Sequence, residues 1–476
     1  MASFLKDSNP WIVLEAARAI NDLPIAPALP KLAALMQDKE LWTRAEAAST
    51  AQREAMARAK NAKAPAPAEQ PDVLVSPLWR RVVNANFRVG ESANAMALVN
   101  FAKLDSAPSA VRAEAVTVLG DWAKPSGRDN VTGLWRPAGK RDVAVATAAV
   151  KKNIDALLQN SSTTVKLAAI KVATKLGIKE GANAAFQLVS DSKQPANVRT
   201  EALKALAAFK APRLNDAVKV ANASTEQSLR NEATKIQATL RPSDATARLR
   251  ATLDTGATGE KQAAFATLAS MPGSAADEIL AQWVDKLLAK QVPAELQLDL
   301  IAAAATRQSR EVKDRLTKFE RSRPAEDDLR NYRECLVGGN AKEGEKIFVE
   351  RADVSCVRCH KAGGEGGEVG PNLAGIGQKQ TREYLLESIV YPNKQIAPGF
   401  DNLLVTMKDG AIYAGLLKGE TAEEIELNSP EDGILKLKKA DIKERQRGLS
   451  GMPEELRQVL TKQDLRNLIE FLATAH

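Results

Sequence analysis

The segment Cys356-Val357-Arg358-Cys359-His360 decides how the second half of this chain of 476 residues is interpreted. Two cysteines separated by two residues and followed at once by a histidine form the attachment motif of c-type haem. On one turn of helix, the two thiols can reach the two vinyl groups of a single porphyrin, and the imidazole of His360 is carried beneath the iron as its proximal ligand. The sequence therefore predicts one covalent haem.

Three other interpretations of this segment compete with haem. A thioredoxin-like redox pair requires a βαβ context, which the surrounding sequence does not have. A zinc site requires four well-placed ligands, and the adjacent Cys359 and His360 fit a single tetrahedron poorly. The remaining alternative is that the five residues occur together by chance.

The sixth position of the iron needs a second ligand if the haem only transfers electrons. The sequence has just two histidines, His360 and the terminal His476. A methionine is favoured because a thioether stabilises Fe(II) and raises the potential. Of the seven methionines, Met452 lies in a Ser-Gly-Met-Pro segment before the last predicted helix. Met407, in a predicted strand, is the rival, and an open sixth position is the third possibility.

Residues 1–322 repeat a helical pattern. Val165, Val198 and Leu229 occupy equivalent positions, so the pattern recurs about every 32 residues. Units of this size with two amphipathic helices predict a HEAT-like α-solenoid, in which each helix pair buries its apolar face against its neighbours. A generic helical bundle is the alternative. The most similar segments are Ala110–Ala115, Thr164–Ala169, Asn197–Ala202 and Ser228–Ala233.

Two breaks interrupt the helical pattern. The segment near residues 59–76 is rich in alanine, proline and lysine and is predicted to be a loop or linker. The segment near residues 124–142 contains several prolines and glycines, so it is predicted to be an irregular insertion. Its Trp135 could contact a partner from an exposed loop or could cover the end of a helix.

The pattern changes after residue 322. Residues 323–337 are predicted to connect the helical repeats to a second domain, residues 338–476. In that domain, helices are predicted at 340–348, 384–390 and 464–475, with a glycine-rich segment at 363–377.

A small β insertion is predicted near residues 401–438. Two apolar runs flank Asp409-Gly410, which is a strong hairpin signal, and a second β pair follows at 424–427 and 433–437. The fold class predicted for the whole chain is therefore mainly α with this β insertion.

Composition limits the other possibilities. The chain has 67 basic and 59 acidic residues, a net charge of +8 that could steer an acidic protein partner, and no arginine-aromatic pattern typical of nucleic-acid binding. No apolar run has the roughly 20 residues of a membrane helix. Cys335 is the third cysteine and is expected to be a buried, unreactive thiol, so a disulfide framework is excluded. No signal peptide is visible at the start, yet covalent haem implies export, so we expect the export signal to precede this chain.

The order of segments in residues 338–476 resembles a class I cytochrome c. A helix precedes the haem motif, Gly370-Pro371-Asn372-Leu373 follows it, and Ser450-Gly451-Met452-Pro453 precedes a terminal helix. The β insertion and the segment from Tyr391 to Gly399 make it similar to the haem-binding domain at the C-terminus of large exported dehydrogenase-like proteins. In those proteins a β-propeller comes first and HEAT-like repeats follow. No propeller is present in this sequence.

This resemblance implies particular roles for the site residues. The cofactor-binding residues would be Cys356, Cys359, His360, Gly370, Pro371 and Met452. His360 and Met452 would bind the iron, with the carbonyl of Pro371 accepting a hydrogen bond from the imidazole. Gly370 would allow the chain to approach the porphyrin closely. No catalytic residue is assigned, and the chain is not expected to be catalytic by itself.

Two functions of different classes follow. The first is a periplasmic or otherwise exported electron-transfer module with one covalent haem c, working with a redox partner such as a β-propeller sugar-dehydrogenase-like domain or subunit. The second is a HEAT-repeat interaction scaffold in which haem is a sensor or a structural group. A haem enzyme such as a peroxidase is a weaker third option, because it would need an open sixth position.

Overall fold

The computed structural model describes residues 1–59, 72–362, 366–367, 369–400, 402–429 and 432–474. These residues are mainly helical and include a small antiparallel sheet. Within the same ranges, no helix combines the length and apolarity needed to span a membrane. The chain divides into two compact units, Met1–Leu240 and Arg241–His476. Most of the linker predicted near residues 59–76 falls outside the described residues.

The first unit is built from consecutive helices, most of them joined by short turns. Polar side chains begin several of them: Ser162 accepts a hydrogen bond from the backbone of Val165, and Asp142 accepts one from Ala144. Such caps satisfy amides that have no partner within the helix. The helices are α1 (Pro10–Asp22), α2 (Leu29–Ala34), α3 (Lys39–Ala59), α4 (Val75–Val89), α5 (Ser92–Ala102), α6 (Ser109–Gly120), α7 (Val143–Leu158), α8 (Thr163–Leu176), α9 (Ala182–Ser190), α10 (Ala196–Phe209), α11 (Leu214–Asn222) and α12 (Gln227–Leu240).

A continuous apolar core runs through the first unit from Leu5 to Ile236. Its largest side chains lie near the N-terminal end, where Trp79 is fully buried and stacks on Trp42, and Phe101 packs beside them. Many other core positions are alanine, which lets neighbouring helices approach closely. A continuous core formed by successive helix pairs is what the repeat pattern predicts, and the HEAT-like solenoid itself stays a prediction.

Arginines at equivalent positions of the repeated segments bind the end of the preceding helix. Arg199 is buried and donates through Nε to the carbonyl of Val189, near the end of α9. Arg230 donates to the carbonyls of Ser224 and Thr225, which follow α11. The last carbonyls of a helix have no partner within it, so a cation that binds them fixes the turn between two helices.

The irregular insertion near residues 124–142 is held firmly against the helices. The side chain of Asp129 is buried and accepts hydrogen bonds from Asn84 and from the amides of Val131 and Thr132. Burial raises the pKa of Asp129, but these hydrogen bonds lower it by more, so the net pKa is below its usual range. Trp135 is nevertheless 71 % exposed, so the sequence alternative in which it covers a helix end does not describe it.

The second unit begins with further helices and continues into the region of the haem motif. Near the start of this unit, Arg307 donates to the carbonyls of Leu268 and Met271 and forms an ion pair with Asp277. Arg307 is therefore another arginine that binds the end of a helix. The helices are α13 (Pro242–Thr255), α14 (Thr258–Ser270), α15 (Ser274–Leu288), α16 (Ala294–Thr306), α17 (Arg310–Arg321), α18 (Ala341–Glu350), α19 (Cys356–Cys359), α20 (Arg382–Val390), α21 (Leu456–Val459) and α22 (Lys462–Thr474).

Helices α18 and α22 cross closely and form the centre of this region. A Cβ at Gly344 would lie 2.0 Å from the carbonyl oxygen of Asn467, so only glycine permits this approach. Beside the crossing, the rings of Phe348 and Phe471 are 5.6 Å apart. The face predicted for the last helix is buried as expected, and it comprises Leu465, Leu468, Ile469 and Leu472.

Residues 323–339 pack between α16 and α22. Glu334 is buried and binds Arg323 and Lys462, and Cys335 is fully buried. Burial raises the pKa of the Cys335 thiol to about 12, which agrees with an unreactive role. The domain boundary predicted at residues 323–337 stays a prediction, and the first compact unit of the structure ends at Leu240.

A buried ion pair also joins α16 to α22. Arg466 donates through both terminal nitrogens to the carboxylate of Asp299, at 2.6 and 3.1 Å. Leu298, on the same helix as Asp299, belongs to the hydrophobic core around α18 and α22. The last helical repeats and the region of the haem motif therefore share one packed interior.

The β insertion forms a five-stranded antiparallel sheet in the order β4-β3-β2-β1-β5. The predicted hairpin and the second β pair are confirmed. A fifth strand, which the sequence did not predict, pairs with β1 and extends the insertion beyond residue 438. Because a short turn joins β4 to β5 at opposite edges of the sheet, the sheet must curl. The strands are β1 (Asn402–Met407), β2 (Ile412–Glu420), β3 (Glu424–Ser429), β4 (Gly433–Lys438) and β5 (Ile442–Arg447).

Candidate functional site

The haem motif, Cys356–His360, forms one short turn of helix, α19, and its C-terminal cap. The amide of His360 donates to the carbonyl of Cys356 at 3.0 Å, and His360 itself is extended. Both cysteines are half-buried and not disulfide-bonded, and Cys356 packs at the edge of the α18–α22 core. Burial raises the pKa of Cys356. One turn of helix places the two thiols on the same side, as attachment to a single porphyrin requires.

The chain after the motif runs back along it. The amide of Gly370 donates to the carbonyl of Cys359 at 2.7 Å, and the amide of Leu373 donates to that of Lys361 at 2.7 Å. A Cβ at Gly370 would lie 2.6 Å from Cε1 of His360, so a side chain at this position would displace the imidazole. The role of Gly370 in the structure is thus to make room for the ring of His360.

The imidazole of His360 is fixed by the carbonyl of Pro371, with 2.9 Å between Nδ1 and the oxygen. A carbonyl can only accept, so Nδ1 carries the proton and Nε2 is left with a free lone pair. Burial lowers the pKa of His360, and the bond to Pro371 opposes this only in part, so the neutral ring is favoured. A neutral imidazole whose second nitrogen is held by a carbonyl is the usual state of a metal-binding histidine.

Met452 lies in the loop between β5 and α21 and packs against the same core as Cys356. Its amide donates to Oγ of Ser450 at 3.1 Å. The amide of Ser450 in turn donates to Oδ1 of Asn393 at 2.7 Å. The structure therefore brings Met452 and the haem motif to one hydrophobic cluster, although the two are far apart in sequence.

The other candidates are placed elsewhere. Met407 ends β1 and packs against the separate core of the sheet, as its predicted packing role requires. His476 lies outside the described residues. Asn393 was not recognised in the sequence, because a hydrogen bond between a side chain and a distant backbone amide leaves no pattern along the chain.

These residues fit a covalently bound haem. Two thiols on one turn, an imidazole with its free nitrogen oriented and a glycine that clears its ring form the donor set that c-type haem needs. The alternatives fit less well. Across the described ranges, no three or more histidine, cysteine, aspartate or glutamate side chains are grouped to hold a metal ion. Helix α18, not a strand, comes before the motif, so the context of a thioredoxin-like pair is missing.

Comparisons with known proteins agree with this site. The family model described as Cytochrome c matches residues 341–420. The comparison with curated proteins found no match.

Among solved structures, the complex of CpcE and CpcF of phycocyanin lyase from Nostoc sp. PCC7120 is 13% identical, and the alignment covers 67% of this chain and 92% of that one, with a TM-score of 0.26. A crystal structure of an engineered protein is 15% identical, with 74% and 84% covered and a TM-score of 0.31. At these scores, neither defines the fold of this chain.

The chain thus contains a cytochrome c-like domain in its C-terminal region. Such a domain is a haem-binding electron-transfer module and implies covalent haem c. It also suggests an exported location in general terms.

Proposed function

We propose that this protein is an exported c-type cytochrome in which one haem is bound by Cys356 and Cys359 and the iron by His360 and Met452. The helical repeats serve as the scaffold that presents this module to a redox partner. The partner is a dehydrogenase-like domain or subunit of the β-propeller type, as the sequence resemblance implies. The whole assembly would transfer electrons from an oxidised substrate to an acceptor.

Some of these residues would hold the cofactor, and others would set its properties. When bound, the haem supplies one-electron chemistry through the Fe(III)/Fe(II) couple. Cys356 and Cys359 hold it covalently, and the Pro371 carbonyl keeps Nε2 of His360 directed to one side. Met452 would be the second protein ligand of the iron and would leave no position for water, oxygen or peroxide. This restricts the site to outer-sphere electron transfer and speaks against a peroxidase.

The observation that carries this proposal is the placement of Met452. It packs on the hydrophobic cluster that also holds Cys356, whereas Met407 packs on the sheet core. A thioether on the distal side raises the potential, which suits acceptance of electrons from a sugar-oxidising cofactor.

Replacement of each methionine tests the assignment. Met452→Ala should keep its covalent haem but lose the sulfur-to-iron charge-transfer band, fall in potential and begin to bind carbon monoxide when reduced. Met407→Ala is the matched control and should keep the wild-type spectrum and potential. The opposite pattern would show that the ligand assignment is wrong. Rapid binding of carbon monoxide by the reduced wild-type protein would indicate an open position on the iron. The protein would then be a haem enzyme or sensor and not an electron-transfer module.

A specific observation also favours a protein-interaction role for the first unit. The ring of Trp135 lies over Gly127, where a Cβ would be 2.2 Å from the ring, and its other face is open to solvent. The basic residues Lys124, Arg128 and Lys140 of the same segment are exposed, whereas of its two acidic residues Asp129 is buried and only Asp142 is exposed. A rigid, basic, aromatic surface suits an acidic protein partner.

Photocrosslinking can test this second role. A photoreactive residue at position 135 should capture a partner that the same residue at Leu104, an exposed leucine elsewhere in the unit, does not capture. The purified partner should then bind Trp135→Ala at least about tenfold more weakly than wild type. Equal binding by the two proteins would exclude Trp135 from the interface.

A further inference from the structure

The loop that carries Met452 is held on both sides of this residue by a single side chain, that of Asn393. Its Oδ1 accepts from the amide of Ser450, two residues before Met452. Its Nδ2 donates to the carboxylate of Glu454, two residues after Met452. Asn393 follows α20, so one amide group links the segment after this helix to both arms of the loop.

A second amide closes the loop further from Met452. Asn402, at the start of β1, donates through Nδ2 to the carbonyl of Leu449 at 2.8 Å. The backbone carbonyl of Asn402 accepts from the amide of Gly448. This pair of contacts joins the two ends of the β insertion. The sheet is thereby anchored beside the loop, and the contacts of Asn393 are the ones that act directly on the residues flanking Met452.

The location of these contacts matters because the residues around Met452 are otherwise largely open to solvent. Ser450, Met452 and Glu454 are not buried, and Gly451 and Pro453 between them are exposed. A loop of this kind moves easily unless hydrogen bonds hold it. A methionine on a mobile loop would leave the iron for part of the time, because the bound geometry would have to be formed at an entropic cost.

We propose that Asn393 is a positioning residue, which keeps Met452 at the axial position by binding the loop through Ser450 and Glu454. This inference rests on the proposed role of Met452 as a ligand. Asn393 does not contact the haem in this account. It lowers the cost of holding the thioether in place, so its loss should weaken the axial bond without removing the cofactor.

The two partners of Asn393 allow a reciprocal test. Asn393→Asp keeps the acceptor for Ser450 but replaces the donor by a carboxylate that repels Glu454. Glu454→Gln keeps an acceptor for Asn393. In the double variant Asn393→Asp/Glu454→Gln, the new amide at position 454 can donate to the new carboxylate at position 393, so this hydrogen bond is restored with donor and acceptor exchanged, and the one from the Ser450 amide is kept.

The measurement is the displacement of Met452 by imidazole in the oxidised holoprotein, followed through the sulfur-to-iron charge-transfer band. Asn393→Asp should lose the band at an imidazole concentration about tenfold lower than wild type, which corresponds to the loss of one hydrogen bond to a charged group. For Glu454→Gln and for the double variant, the imidazole concentration at which the band is lost should be within about threefold of the wild-type value. If Asn393→Asp does not mature, Glu454→Ala, which removes the acceptor for Nδ2 of Asn393, should give a shift of about threefold in the same direction. An unchanged imidazole concentration for Glu454→Ala would then overturn the role of Asn393.

The outcomes separate this inference from the function on which it rests. A wild-type protein without the band, or with a band that survives Met452→Ala, would overturn both. A normal wild-type band with Asn393→Asp unchanged would overturn only the role of Asn393. If imidazole displaces Met452 from the double variant as easily as from Asn393→Asp, the carboxylate introduced at position 393, and not the loss of the hydrogen bond, caused the effect. This outcome would also overturn the role of Asn393.

Discussion

The first unit and the haem motif are held in place by different kinds of contact. In the first unit, the large side chains of Trp79, Trp122 and Phe101 are fully buried and fill the space between helices. Around the motif, Cys356, Cys359 and His360 are only half-buried, and backbone hydrogen bonds to Gly370 and Pro371 set their positions. One region depends on apolar volume, and the other depends on where individual amides and carbonyls lie. Changes in the two regions should therefore have separable effects.

The largest effect is expected for Trp79→Ala. Removing a fully buried tryptophan should lower the free energy of unfolding by about 3–5 kcal/mol. Trp135→Ala is the matched control, because Trp135 is exposed and its removal should cost no more than about 0.5 kcal/mol. Five of the six tryptophans lie in residues 1–240, so fluorescence during urea unfolding of the remaining tryptophans reports on the first unit. A haem spectrum that changes with Trp79→Ala would contradict the separation of the two regions.

A somewhat smaller effect is expected at the ion pair between α16 and α22. The side chains of Arg466 and Asp299 are 2% and 12% exposed. Arg466→Ala leaves Asp299 buried without its partner and should destabilise the second unit by about 3 kcal/mol. Replacement of both residues by leucine should restore at least half of this loss. Haem absorbance during urea unfolding measures it, and an unchanged midpoint for Arg466→Ala would show that this contact does not support the haem region.

The smallest effect concerns Glu334 and acid. Burial raises its pKa, but hydrogen bonds from Arg323 and Lys462 lower it by more, so the net pKa is below its usual value. A carboxyl with a lowered folded pKa stabilises the protein above its unfolded pKa of about 4.3 and loses this contribution as the pH falls through the folded value. Glu334→Gln should thus cost about 1–3 kcal/mol at pH 7, and progressively less in acid. A cost that stays constant from neutral pH into acid would refute the charged role of Glu334.

The same comparison explains which elements of the fold could be predicted from the sequence. Packed helices repeat apolar residues at regular intervals, so the last helix and its buried face were predicted correctly. The Asp409-Gly410 hairpin was predicted because its turn requires particular residues. Strand β5 was missed because five of its six residues are polar or charged, and its pairing with β1 depends on the backbone.

The candidate site also contains residues that the sequence predicts and residues that it does not. The spacing of Cys356, Cys359 and His360 matches what attachment to one porphyrin requires, so the sequence alone is enough to predict these residues as the attachment site. The role of Asn393 depends on hydrogen bonds to residues more than 50 positions away, which no local pattern encodes. Arg199 and Arg230 occupy the same position of their repeated segments, but only the structure shows that they bind carbonyls between helices.

The central claim is that the second unit carries a haem attached through Cys356 and Cys359. The most direct measurement is the mass of the protein after export and maturation, combined with the mass of the peptide that contains the motif. The account predicts an increase equal to one haem, located on that peptide, and a colour that survives denaturation. An unmodified mass, or haem that acid and acetone extract, would contradict it.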